Sequence, residues 1–309
     1  MRALAITNPN ATAMSPRTRD VIMRALGSEL KIDVAETTRR GHAADLAADA
    51  RADGFDLVVA VGGDGTVNEV VDGLLRAGTD GEVPRLAVVP GGSANVFARA
   101  IGLPVEPIEA TGAVLERLRA RRERRIGLGL LETPSMRRWF TFCAGFGLDA
   151  EVVREVENRR AAGARATPAL YLRTALRQFA HTDRRNPALM ITPASAEPIG
   201  KLHMAIITNT TPWTYFRDRP LQPTPDAAFE TGLDVFALRR LGVVGTAAKV
   251  RRLFAGGTPR GRQVLSLHDC ARLDIAASRP IAVQVDGDYL GEHAGARLDA
   301  VPEALAVIA

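Results

Sequence analysis

Apolar residues change their spacing several times along this chain, and each change marks an element. Residues 2–7 alternate into a short apolar strand that stops at the turn signal Asn8-Pro9. Helix-forming sequence follows over 16–30, and residues 31–36 set Ile32 and Val34 between polar neighbours as a second strand. After a helix over 43–53, residues 55–61 read as a strand whose apolar run is unbroken from Leu57 onward, the mark of a strand buried on both faces. A helix reaching Arg76 and a strand over 86–89 complete the pattern. Strands alternating with helices predict an α/β domain with a parallel sheet.

Beyond the arginine-rich stretch 117–125 the period changes. Residues 138–144, 188–192, 202–209, 233–238, 271–276 and 281–285 read as strands between Pro, Gly and Asp turns, with helices over 150–160, 168–180 and 245–254. The expected division is therefore 1–125 and 126–309, the second domain mainly antiparallel, with the last residues able to pack back on the first.

Two loops carry the candidate chemistry. Gly62-Gly63-Asp64-Gly65-Thr66-Val67-Asn68-Glu69 follows the buried run, with Thr66 expected as helix N-cap and Glu69 completing a capping box. Glycines before a helix N-terminus let a ligand approach backbone N–H groups, which makes an anion site and most often a phosphate site. Asp64 in that loop would repel a phosphate unless a cation lies between them, which points to a nucleotide with its metal. Pro90-Gly91-Gly92-Ser93-Ala94-Asn95 repeats the logic, with Ser93 expected as cap of a helix over 94–101. Open parallel sheets bind ligands beyond the carboxyl ends of their strands, so both loops can face one crevice. There is no G-x-x-x-x-G-K-[ST], and the first loop lacks G-x-G-x-x-G spacing.

Composition narrows the setting. With 309 residues, 46% of them apolar, the chain has material for two cores. Cys143 and Cys270 lie far apart without ligand spacing, the five histidines show none, and no apolar run is long enough to span a bilayer. A cytoplasmic location is expected. The net charge of +5 comes largely from arginine pairs such as Arg184-Arg185, Arg239-Arg240 and Arg251-Arg252. These read as solvated faces or as attraction to an anionic membrane, giving a peripheral association. Aromatics make up 5% and do not interleave with the basic runs, which argues against nucleic acid.

The stretches 62–69 and 90–99 resemble the two signatures of the diacylglycerol kinase catalytic domain family, which includes bacterial lipid kinases and the sphingosine and ceramide kinases. The resemblance continues through Asn8-Pro9, Thr37, Gly145-Phe146-Gly147-Leu148-Asp149-Ala150 and Asp286-Gly287-Asp288. It implies a nucleotide-binding α/β domain, a β-sandwich-like second domain, and ATP meeting a lipid hydroxyl in a cleft between them. It implies ATP contacts from Asn8, Thr37, Gly62, Gly63, Asp64, Gly65, Thr66, Val67, Asn68, Glu69, Gly92 and Ser93. Asp288 matches the catalytic base, Asp64 would hold magnesium against the phosphates, and Asp286 is a candidate for either task.

Three positions depart from the family pattern. Asn8-Pro9 is followed by Asn10-Ala11-Thr12 in place of x-Ser-Gly, Asp288 stands where Glu is usual, and Phe229-Glu230-Thr231-Gly232-Leu233-Asp234 alters a magnesium motif, leaving Glu230 on its liganding carboxylate. The expected activity is an ATP- and magnesium-dependent kinase acting on diacylglycerol or a similar neutral lipid at a membrane surface, a reading compatible with a homodimer. The alternatives are an NAD kinase-like enzyme, whose Thr-Gly-Ser-Thr-Ala-Tyr signature is missing, and an inactive nucleotide or lipid sensor.

Overall fold

Strand β1 (Arg2–Thr7) is flanked by β2 (Lys31–Glu36) and β3 (Leu57–Gly62), with β4 (Arg85–Pro90) beyond β3, and all these pairings are parallel. β3 is buried along its whole length, which explains its unbroken apolar sequence. β2 ends the row, and its Val34 is exposed. In this computed structural model residues 1–9, 11, 14–164, 167–194 and 196–309 are described. Met1–Gly127 with Glu303–Ala309 form one compact unit and Leu128–Pro302 a second.

Helices cover the parallel sheet. α1 (Pro16–Gly27) is opened by Ser15, whose hydroxyl accepts from the Thr18 N–H at 3.0 Å. α2 (His42–Ala52) buries a face of alanines and packs closely on α3 (Asp64–Leu74). Gly73 permits that approach, since a Cβ there would lie 2.1 Å from the Ala44 carbonyl oxygen. α4 (Val96–Ala100) and α5 (Pro107–Arg119) follow β4. The arginine-rich stretch thus forms the end of α5, a turn with Arg121 at φ 51°, and the start of β5 (Arg124–Thr133).

The second unit is antiparallel. β6 (Met136–Phe140) forms a hairpin with β5, and β7 (Cys143–Gly147) leads into the helices α6 (Leu148–Ala161) and α7 (Pro168–His181). Next come β8 (Leu189–Pro193), β9 (Ile199–Leu202), β10 (Met204–Thr208), and the small hairpin of β11 (Thr214–Phe216) and β12 (Arg219–Leu221). β13 (Leu233–Leu238), α8 (Val243–Phe254), β14 (Val264–Cys270), β15 (Arg272–Val285) and β16 (Asp288–Val307) complete the chain. The strand order is β14-β13-β10-β7-β15-β16, around a core that includes Phe140, Phe146, Ile207, Val235 and Leu298.

The stretches 271–276 and 281–285, expected as separate strands, fall, apart from Ala271, in the single strand β15. Ser278-Arg279-Pro280 breaks the alternation where the register with β16 shifts between Ala276 and Ile281. Such an irregularity redirects a strand without ending it. The first half of β15 pairs with β8 and the second half with β7. The end of β16 belongs to the first unit, where Val307 pairs in parallel with Leu86. Among the described residues no helix is long and apolar enough to cross a membrane.

Candidate active site

The glycine loops lie at the carboxyl ends of β3 and β4, side by side. Gly62 pairs with Pro90, and the Gly91 N–H donates to the Gly62 carbonyl at 2.8 Å. A Cβ on Gly92 would lie 2.7 Å from the Gly63 Cα, and one on Gly63 would lie 3.1 Å from the Gly92 Cα. The loops therefore touch backbone to backbone, a fit that side chains at either position would push apart. Gly62 answers a different need, because its Cβ would meet the Thr66 hydroxyl at 2.6 Å.

The expected capping box does not form. Gly63 is the N-cap, so α3 already runs at Asp64 and Thr66 falls inside its first turn. A glycine serves as N-cap with little loss of stability, and among the described residues no side chain caps the helix. The Thr66 hydroxyl accepts from Asn8 Nδ2 at 3.2 Å. The Glu69 carboxylate turns to α2, accepting from the N–H groups of Gly41 at 2.8 Å and Ala43 at 3.2 Å. A helix N-terminus favours an acid there as much as a capping box would. Val67 and Asn68 are buried, as expected for the inward face of α3 and not for an open ligand surface.

Ser93 is likewise not a cap. Asn95, in the left-handed region at φ 48° and ψ 48°, holds that place before α4. Its Oδ1 accepts from the Gly92 N–H and its Nδ2 donates to the Gly92 carbonyl, both at 2.9 Å, closing the loop on itself. Asn95 was missing from the expected site; its signal was an Asn three residues beyond a Gly-Gly pair, a residue type that tolerates this backbone. Ser93 is left exposed at the loop tip.

Asp64 ties the two loops together. Its Oδ1 accepts from the Phe97 N–H at 3.1 Å, at the start of α4. Asn8 and Thr37 occupy the ends of the neighbouring strands, where the Asn8 N–H donates to the Val61 carbonyl and the Thr37 N–H to the Thr7 carbonyl. Asn8, Thr37, Gly62, Gly63, Asp64, Gly92 and Ser93 thus gather along one edge of the parallel sheet, the edge where such sheets bind ligands. The Asn10 and Thr12 departures lie outside the described residues.

In the second unit Asp286 and Asp288 take different places. Val285 pairs with Asp288 across a two-residue turn, with Asp286 at φ 47° and Gly287 at φ 85°. That is the type I′ hairpin that Asp-Gly favours. Asp286 is 4% exposed. One of its oxygens accepts from the N–H and hydroxyl of Thr141 at 2.6 and 2.8 Å, the other from the N–H groups of Phe142 and Cys143 at 3.0 and 2.9 Å. Burial pushes its pKa up against the pull of these donors. Asp286 anchors the turn to the β6–β7 connection. Asp288 is partly open, with its carboxylate 3.6 Å from the Arg138 guanidinium.

A second chain of bonds reaches the same turn. The Gly287 N–H donates to Gln284 Oε1 at 2.8 Å, and Gln284 Nε2 donates to Asp149 Oδ2 at 2.9 Å. A Cβ on Gly145 would lie 1.8 Å from that Asp149 oxygen, and Gly147 adopts φ 72° where a Cβ would meet the His203 carbonyl. Gly145 thus leaves room for the Asp149 carboxylate, while Gly147 leads the chain past His203 into α6. Burial raises the Asp149 pKa to about 6.

The residues do not fit the magnesium site expected at Glu230. Asp234 Oδ1 accepts from His268 Nδ1 at 2.8 Å and from the Asp269 N–H at 3.1 Å, while Glu230 is exposed. Among the described residues no group of three or more His, Cys, Asp or Glu side chains can hold a metal ion.

The family model of the diacylglycerol kinase catalytic domain matches residues 2–130, the segment that carries both glycine loops. That segment belongs to the diacylglycerol kinase catalytic domain family. This chain is 40% identical over 105 residues to a Chromohalobacter salexigens protein named "Probable lipid kinase YegS-like", covering 34% of this chain and 33% of that protein. A Bacillus subtilis protein named diacylglycerol kinase is 28% identical over 264 residues, covering 82% of this chain and 78% of that protein. Among solved structures, a diacylglycerol kinase from Bacillus anthracis superposes with TM-score 0.72 at 17% identity, covering 99% of this chain and 96% of that one. An NAD kinase from Archaeoglobus fulgidus in complex with ATP superposes with TM-score 0.52 at 10% identity, covering 100% and 94%. The structural likenesses are of fold, and they bear out a diacylglycerol kinase-like α/β domain followed by antiparallel strands.

Proposed function

We propose that this chain is an ATP-dependent lipid kinase that transfers the γ-phosphoryl group to a hydroxyl of diacylglycerol or a similar neutral lipid. The observation that carries this reading is the backbone contact between Gly63 and Gly92 inside the kinase-family segment. Two glycine loops in contact, beside a helix without a side-chain cap, suit a polyphosphate that must approach the main chain. ATP with its magnesium ion supplies the phosphoryl group and neutralises charge around it. Asp64 is the carboxylate assigned to that ion, and Ser93 at the loop tip is assigned to the phosphates.

Asp288 is assigned as the base that accepts the lipid hydroxyl proton, with Arg138 orienting it. Asp286 and the Asp149–Gln284 pair position the turn that carries it. Phosphoryl transfer asks little more of the protein than such placement. Purified protein given labelled ATP and a panel of diacylglycerols, ceramide, sphingosine and polyprenols should phosphorylate one of them. Asp288→Ala should bind ATP as before and lose turnover by roughly 100-fold or more, the scale of a general base. A blank panel, or undiminished turnover in that variant, would refute the assignment.

A further inference from the structure

Helix α8 buries none of its residues. Val243 is 60% exposed, Val244 83% and Val250 43%. At helical spacing Val243, Ala247 and Val250 fall on one stripe, with Val244 beside it. The helix is held at its far end, where the Phe254 ring meets Phe216 edge-on at 5.0 Å and the Phe254 carbonyl accepts from Arg219. An apolar stripe left uncovered on a helix anchored elsewhere is a surface for a partner.

The residues that lead into and out of α8 line a groove of about 950 Å³. Its walls carry Arg184, Arg185, Lys201, Arg239, Arg240 and Arg262. The Arg239 N–H donates to the Gln263 carbonyl at 2.9 Å, fixing the two sides of the helix base together. Asp183 is the acid among the lining residues, and its carboxylate is committed elsewhere. It accepts from the N–H groups of Arg185 and Asn186 and from Asn186 Nδ2, and lies 3.8 Å from Arg279. Against this one carboxylate the six cationic side chains leave the groove an excess of positive charge for an anion from outside.

We propose that α8 and this groove form one docking face for an anionic phospholipid bilayer. Phosphate headgroups occupy the groove while the valine stripe enters the headgroup boundary, the pairing of charge and apolar face that holds interfacial helices on membranes. Neither feature alone chooses this partner. A nucleic acid would use the arginines and ignore Val243 and Val244, and an apolar protein surface would use the valines and leave the arginines unmatched. The assignment deepens the lipid-kinase reading and rests on it for the purpose of docking, while the evidence for the face itself is independent.

The test is co-sedimentation of the full chain with vesicles, either phosphatidylcholine alone or an equimolar mixture with phosphatidylglycerol. The unmodified protein should bind the mixed vesicles, weaken as salt rises, and leave the neutral ones in solution. Arg239→Ala/Arg240→Ala/Arg262→Ala should lower the partition coefficient roughly 100-fold, from the contribution expected of three basic residues at an acidic surface. Val243→Asp/Val244→Asp should lower it roughly tenfold or more. Both variants should keep turnover on a short-chain diacylglycerol in free solution, so failure to dock is distinguishable from failure as a kinase. Full binding by both variants would overturn the proposal. So would loss in the arginine variant alone with an oligonucleotide bound instead, or binding that depends on Leu172 and Leu176, which are exposed on α7.

Discussion

Asp286 and Asp288 stand two residues apart in one hairpin, yet burial and hydrogen bonding separate their chemistry. Donors that include the Thr141 hydroxyl and three backbone N–H groups hold Asp286 in place, whereas Asp288 faces the Arg138 guanidinium and keeps access to solvent. The glycines of the first unit are equally specific. Gly92→Ala must move the Gly63 backbone, because the contact is with main chain and not with a flexible side chain. The variant is expected to lose ATP affinity by roughly tenfold or more for a stability loss of about 1–3 kcal/mol, the usual range for overpacking. Calorimetric titration with ATP checks the first number, and unchanged affinity would remove these loops from the nucleotide site. Asp149 gives a pH signature. Its folded pKa of about 6 lies above the ordinary carboxylate value, so the folded state binds the proton more tightly than the unfolded state. Its contribution is therefore fully present below pH 4, declines as pH rises through about 6, and then levels off. The difference is about 3 kcal/mol. In Asp149→Asn, whose carbonyl can still accept from Gln284, that decline should vanish from denaturant midpoints measured across the range; parallel curves for both proteins would exclude Asp149 as its source.

At the scale of elements, α3 joins the second glycine loop to α2. Its N-terminus meets the second glycine loop through Asp64, and its side reaches α2 through Glu69. Glu69→Ala should cost about 1–3 kcal/mol through two lost bonds at the α2 N-terminus, with ATP affinity little changed. The opposite pattern, affinity lost with stability kept, would return Glu69 to the ligand. Periodicity made β1, β2 and β13 readable to the residue, since an apolar run or alternation bounded by a turn has few other uses. Caps were less legible. Thr66 and Ser93 have the chemistry of N-caps, but Gly63 and Asn95 occupy those positions, and the choice turns on backbone angles that residue type only biases. β5 was hidden because it starts inside an arginine run, and β16 because Gly291 and Gly295 interrupt its alternation. The turn at Asp286 was legible as a hairpin, while the burial of Asp286 depends on β7 and the Thr141 loop, far away in sequence.

At the scale of the whole molecule, the last residues complete the unit that the first residues begin. Ala304, Leu305, Val307 and Ile308 are all at most 1% exposed. The Ile308 N–H donates to the Leu86 carbonyl at 2.9 Å, extending the parallel sheet beside β4, and Arg125 donates to the Glu303 carbonyl. Burying a Val, Leu or Ile side chain contributes about 1.5–3 kcal/mol each, so this short segment contributes several kcal/mol to a unit whose net stability is of order 5–15 kcal/mol. The loop after β4 carries Gly92 and Asn95, so loosening of that strand reaches the proposed phosphate site. A chain ending at Pro302 is expected to unfold its first unit at markedly lower denaturant and to lose ATP binding. The antiparallel core around Phe146 and Val235 contains none of the removed residues and should persist. Hydrogen exchange read separately over 57–90 and 204–238 distinguishes the outcomes, and equal protection of 57–90 with and without the segment would show that the parallel sheet stands without it.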